Sequence, residues 1–134
     1  MPQVGIVLVS HSERLAEGVA DLAAQVSGGT VTVVAAGGTD DGRLGTSAAK
    51  IERGLGLADS GAGVLILPDL GSAILTVRAL LADAPAARGA VASVVLADAP
   101  FVEGAVAATV TAAAGADLMA VAKAAEEAWH ARKL

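Results

Sequence analysis

The sequence contains no cysteine and no tyrosine, and only one phenylalanine and one tryptophan in 134 residues. Without cysteine there are neither disulfides nor thiolate metal ligands. Two histidines far apart, His11 and His130, make a poor zinc set, so no metal is expected. The scarcity of aromatics removes the stacking surfaces on which nucleic-acid binders rely. No cluster of Lys or Arg is present to grip phosphates, and the net charge is -5, so no nucleic-acid partner is expected. The apolar runs are short and broken by charge or Gly, so no membrane span is expected either. The N-terminus lacks a basic segment leading into an apolar stretch and a cleavage site, which argues against a signal peptide. Together with the missing cysteine, this predicts a cytoplasmic protein.

What is abundant is Ala, Val and Leu: 54% of the residues are hydrophobic. A core made of small aliphatic side chains calls for helices lying close against a sheet. The length fits a single domain over residues 1–134. Residues 4–9 (VGIVLV) form a continuous apolar run rich in β-branched residues, the mark of a strand buried on both faces of a parallel sheet. After Ser10-His11-Ser12 the period changes. Leu15, Val19, Leu22 and Val26 recur every three or four residues and predict the inward face of a helix, which Ser27-Gly28-Gly29 ends.

Residues 30–35 (TVTVVA) predict a second strand and 37–45 (GGTDDGRLG) a turn-rich loop. A helix over about 46–57 follows, with Ala48, Ile51, Leu55 and Ala58 inward. Residues 64–67 (VLIL) are a third strand, closed by Pro68-Asp69. Gly71-Ser72 opens a helix through Leu75, Ala79 and Leu81, and residues 91–96 (VASVVL) are a fourth strand. Asp98-Ala99-Pro100 leads into a helix through Val102, Val106 and Val110. A last helix runs from Leu118 toward Arg132, with Asp117 as its N-cap. Strands alternating with helices predict an α/β domain: a mostly parallel sheet of about four to five strands with helices on both faces.

In an open α/β sheet, ligands bind beyond the carboxyl ends of the strands. The polar candidates gather there: Ser10-His11-Ser12, Gly37-Gly38-Thr39, Pro68-Asp69-Leu70-Gly71-Ser72 and Asp98-Ala99-Pro100. His11 falls between a buried strand and a helix start. A neutral imidazole nitrogen at that point can attack phosphorus, provided a carboxylate fixes the proton on the other ring nitrogen and stabilises the developing charge. Asp69 is the first candidate for that carboxylate and Asp98 the second. The phosphoryl group would rest over the start of the helix following His11, where free N–H groups favour an anion. The hydroxyls of Ser12, Thr39 and Ser72 are candidate phosphate-binding donors. His130, beside Trp129, reads as a cation near the end of the terminal helix.

Other nucleotide and hydrolase patterns fail on spacing. Gly37 and Gly42 have the separation that opens a Walker A motif, but Arg43-Leu44 stands where Lys-Ser/Thr is needed. No G-x-G-x-x-G follows the first strand, and there is no nucleophile elbow.

The series VGIVLVSHS, AAGGTDDGRLGTS, LILPDLGSA and DAPFVEGA resembles the DhaM family, the phosphotransfer subunits of phosphoenolpyruvate-dependent dihydroxyacetone kinases. More distantly, the chain resembles the IIA domain of mannose-type sugar phosphotransferase systems. The resemblance runs in order along nearly the whole chain. It implies a homodimeric phosphotransferase whose His11 becomes phosphohistidine, with Asp69 orienting the ring. It implies no cofactor of its own. The phosphocarrier HPr would be the donor, and ADP held on the DhaL subunit the acceptor. DhaK, which holds dihydroxyacetone, would be an indirect partner. One departure concerns the turn after the aspartate: mannose-type proteins have Gly-Gly-Ser-Pro, whereas this sequence reads Gly71-Ser72-Ala73. Two rival readings remain open from the residues, a mannose-type sugar-transport carrier and a non-catalytic small-molecule-binding regulatory domain.

Overall fold

The structure is a computed structural model that describes residues 2–83 and 93–134. The apolar run near the N-terminus forms strand β1 (Gly5–Ser10), every residue of which is buried. Helix α1 (Glu13–Val26) follows, then β2 (Val33–Gly37), α2 (Ala48–Ala58), β3 (Val64–Pro68), α3 (Gly71–Ala82) and β4 (Val94–Leu96). Helices α4 (Phe101–Ala113) and α5 (Leu118–Glu127) and a 3₁₀ turn (Ala128–His130) complete the chain. Among the described residues the sheet has four strands, all parallel, in the order β2-β1-β3-β4.

That order places the site. From β1 the chain first steps outward to β2, then returns past β1 to β3 and β4 on the other side. The direction of winding reverses between β1 and β3, and a crevice opens beyond the carboxyl ends of those two strands. The register brings their ends level. Val9 lies opposite Pro68, and the amide of Asp69 donates to the carbonyl of Val9 at 2.9 Å. His11 and Asp69 therefore leave the sheet side by side.

Alternation along the strands divides the core in two. Ile6, Leu8, Leu65 and Leu67 face α1, α4 and α5, packing with Val19, Ala105, Ala108, Val121 and Ala125. Val7, Val9, Val64 and Ile66 face α2 and α3, packing with Ile51, Leu55, Ala58, Ala73 and Val77. Burying whole Val, Leu or Ile side chains in this way contributes roughly 1.5–3 kcal/mol each before conformational entropy is set against it.

The helix faces correct the periodicity reading. In α1 the buried residues are Ala16, Val19 and Ala23, while Leu15, Leu22 and Val26 are each more than 40% exposed. In α2 the inward set is Ile51, Gly54, Leu55 and Ala58, and Ala48 is exposed. In α3 the buried residues are Ala73 and Val77, leaving Leu75 outside. In α4 small residues again turn inward, Gly104, Ala105, Ala108 and Ala112 among them, while Val102 and Val110 are exposed. The physical reason is distance: alanine lets a helix backbone approach the sheet closely, so the larger side chains are displaced to the flanks.

Element boundaries shift as well. β2 begins three residues later than predicted and ends at Gly37, because Ala36 and Gly37 complete the ladder opposite Val9 and Ser10. Val91 and Ala92 of the predicted fourth strand lie outside the described residues. The last helix stops at Glu127 rather than near Arg132, and Asp117 caps its start by accepting from the amide of Ala120 at 2.9 Å.

Two glycines hold the β2 end in place. A Cβ on Gly37 would stand 2.5 Å from the carbonyl oxygen of Ser12 and 2.9 Å from the Ala16 side chain, so glycine lets the start of α1 lie directly on β2. Gly38 adopts φ +75°, which turns the chain so that its amide donates to the Ser10 carbonyl at 3.0 Å.

Candidate active site

His11 emerges one residue beyond β1, and Asp69 one residue beyond β3. The His11 Nδ1 lies 2.9 Å from Asp69 Oδ1. The carboxylate is surrounded by donors. Oδ1 also accepts the Leu70 amide at 2.7 Å, and Oδ2 accepts the His11 amide at 3.0 Å and the Ser10 hydroxyl at 2.9 Å. Burial of Asp69 opposes its ionisation. The hydrogen bonds from the His11 amide, the His11 ring, the Ser10 hydroxyl and the Leu70 amide outweigh it, and together they hold the carboxyl below its ordinary pKa. An ionised carboxylate can only accept, so Nδ1 carries a proton, and in the neutral ring the lone pair is then on Nε2.

Exposure agrees with this division. The Asp69 side chain is 8% exposed, whereas the His11 ring keeps 25% of its surface open. Nε2 meets the hydroxyl of Ser72 in the first turn of α3. That helix starts without a capping side chain, because Leu70 stands at the N-cap. Its first-turn amides therefore lack the capping side chain that α1, α2 and α5 possess. An anion attached to Nε2 would lie beside Ser72 and these amides.

The structure thus brings together His11, Asp69 and Ser72. Ser12 serves α1 instead, where its Oγ accepts from the Leu15 amide at 3.2 Å. Nε2 consequently faces the start of α3 rather than the start of α1, which corrects the placement expected from sequence. The Thr39 hydroxyl is engaged within its own loop, donating to Asp41 and accepting from the Arg43 amide at 3.0 Å. Asp98 is exposed, and its carbonyl accepts from Trp129 Nε1 at 3.0 Å. It is no partner of His11. An open recess of ~810 Å³ at the start of α1 is lined by Ser12, Glu13, Arg14, Gly42, Arg43 and Leu44, and none of His11, Asp69 and Ser72 lines it.

Sequence reasoning placed Ser10 on the rim without giving it a role. Its signal was present: a lone hydroxyl closing a fully buried aliphatic strand must find hydrogen-bond partners.

The family profile described as the PTS system fructose IIA component, EIIA-man, matches residues 5–122. The chain belongs to this family. It is 40% identical over 78 residues to the phosphoryl donor subunit DhaM of PEP-dependent dihydroxyacetone kinase 2 from Listeria innocua. That match covers 58% of this chain and 62% of the Listeria protein. It is also 40% identical over 81 residues to the DhaM subunit of Escherichia coli K12, covering 58% of this chain and 17% of that protein. The chain therefore spans less than two thirds of the length of either relative. The crystal structure of EF1359, a protein of unknown function, superposes with a TM-score of 0.80 at 34% identity, over 94% of this chain and 95% of that one. The EIIA-man fold extends across nearly the whole chain.

Proposed function

We propose that His11 carries a phosphoryl group on Nε2, and that the protein is the phosphoryl donor subunit of a phosphoenolpyruvate-dependent dihydroxyacetone kinase. The observation that carries this reading is the Asp69 carboxylate on Nδ1 with Nε2 turned away from it to the Ser72 hydroxyl at the start of α3. The names of the DhaM relatives support the choice of pathway.

In the proposed reaction, the Nε2 lone pair attacks the phosphorus of phosphorylated HPr. The donor's N–P bond breaks and its electron pair returns to the donor ring. The His11 ring then bears a positive charge, which the Nδ1–H bond to ionised Asp69 stabilises. Ser72 turns its hydroxyl from Nε2 to a phosphoryl oxygen. In the second transfer, an oxygen of the terminal phosphate of ADP on DhaL attacks the same phosphorus, and the Nε2–P electrons return to His11. The ATP so formed phosphorylates dihydroxyacetone on DhaK. The carrier acts in the cytoplasm as a homodimer.

The test is incubation with phosphoenolpyruvate, enzyme I and HPr. The expected product is an acid-labile phosphate on His11, discharged when DhaL, DhaK and dihydroxyacetone are added. Failure to take label from any such donor overturns the carrier reading and leaves the small-molecule-binding alternative. The family's description as a sugar IIA component favours one second reading, sugar transport. Label that stays on His11 with the kinase subunits but passes to a sugar-specific acceptor domain would establish it.

A further inference from the structure

We propose that Ser10 is a positioning residue that selects the nucleophilic nitrogen of His11 by acting through Asp69. The inference rests on the phosphohistidine reading above and extends it to a residue that touches neither the ring nor the phosphoryl group.

Ser10 is fully buried at the end of β1. A hydroxyl in that setting is costly unless its hydrogen bonds are made. Both sides of it are used. The oxygen accepts the Ser12 amide at 3.0 Å, and the proton goes to Asp69 Oδ2 at 2.9 Å. The direction of the second bond is fixed by the first: an amide can only donate, so the hydroxyl proton is directed to the carboxylate. Oδ2 is then held from two sides, by Ser10 and by the His11 amide. With the Leu70 amide on Oδ1, these bonds set the plane of the carboxylate and aim Oδ1 at Nδ1.

Carboxylate torsions are otherwise broad. Without the Ser10 hydroxyl, the carboxylate keeps the His11 amide on Oδ2 and the Leu70 amide on Oδ1 but loses its one side-chain hydroxyl donor, so its plane is less firmly set. Nδ1 then faces a less firmly placed acceptor, and the ring shifts toward the tautomer with its proton on Nε2. In that tautomer the nitrogen beside Ser72 has no lone pair to offer. A Ser10 that merely tied down the Ser12 amide would leave the tautomer unchanged.

The experiment compares the full-length wild type with Ser10→Ala, Ser10→Thr, Asp69→Ala and the Ser10→Ala/Asp69→Ala double variant. Ring ¹⁵N chemical shifts of unphosphorylated His11 report the tautomer, and uptake from phosphorylated HPr reports the rate. The wild type is expected in the Nδ1–H form. Ser10→Ala should shift the ring toward Nε2–H and slow uptake about ten- to a hundredfold. Ser10→Thr, which keeps the hydroxyl, should restore both. The double variant should be no slower than Asp69→Ala alone, since the two residues act in series. An unchanged tautomer in Ser10→Ala, or additive rate losses, would overturn the proposal. Ser10→Cys, with a similar shape and a weaker donor, makes the same comparison if the alanine variant does not fold. A wild type that takes no label refutes the carrier reading alone, because the tautomer ratios still decide the role of Ser10.

Discussion

The carbonyl of His11 accepts a hydrogen bond from the amide of Gly45 at 2.8 Å. This contact ties the loop after β2 to the backbone that carries the imidazole. Gly45 has φ +137°, and a Cβ there would lie 2.8 Å from the Thr39 methyl. Gly45→Ala should therefore destabilise the fold by about 1–3 kcal/mol and slow phosphoryl uptake at the same time. Urea denaturation and labelling of the same preparation check both.

His11→Ala should abolish labelling and keep a cooperative unfolding transition. The ring is partly exposed and packs little core, so its loss removes mainly the bond to Asp69, at a cost of about 1–3 kcal/mol. Thermal melts and mass spectrometry of the phosphorylated protein provide the measurement. A variant that still transfers at the wild-type rate would eliminate His11 as the carrier.

Asp69→Asn should slow uptake by about 10²-fold or more, because an amide can present a donor to Nδ1 and so favour the wrong tautomer. It also has a signature in stability. The carboxyl's pKa is lowered in the folded protein, so the folded state binds its proton less readily than the unfolded chain does. Its stabilisation is fully present above the ordinary aspartate range, ~4, and is lost as the pH falls through the lower folded value. The stability gap between wild type and Asp69→Asn should thus be constant near neutrality and narrow in acid. A gap that widens on acidification would contradict the lowered pKa.

The packing of α1 can be tested with neighbouring residues. Leu22 is 45% exposed and Ala23 is fully buried. Leu22→Ala should change the unfolding free energy by no more than about 0.5 kcal/mol. Ala23→Leu should cost about 1–3 kcal/mol through overpacking against the sheet. The reverse ranking in chemical denaturation would mean that the helix is rotated.

The strands and their rim were legible because β-branched runs of strand length leave few alternatives, and because His11 and Asp69 each follow such a run directly. The helix orientations were not. Periodicity selects the largest apolar residues, Leu15, Leu22 and Val26, whereas the sheet admits the smallest, Ala16 and Ala23. The end of β2 was missed because Ala36 and Gly37 have little intrinsic preference for a strand and extend it by pairing with β1. The hydroxyls were found as a group but not sorted. Ser72 reaches Nε2 only through the placement of α3, while Thr39 turns to Asp41 and Arg43 within its own loop. No local pattern distinguishes those two outcomes.

His11 and Asp69 are 58 positions apart in the chain. A nascent polypeptide exposes the imidazole long before it can supply the carboxylate, and local structure in the early segment cannot orient the ring. On the proposed carrier reading, the histidine becomes a selective nucleophile only when the third strand docks beside the first. Chemical competence thus arrives with the long-range pairing that sets the pace of folding in parallel sheets. Uptake of label during refolding would time that docking step, and truncated chains that stop before the third strand would carry an unreactive imidazole.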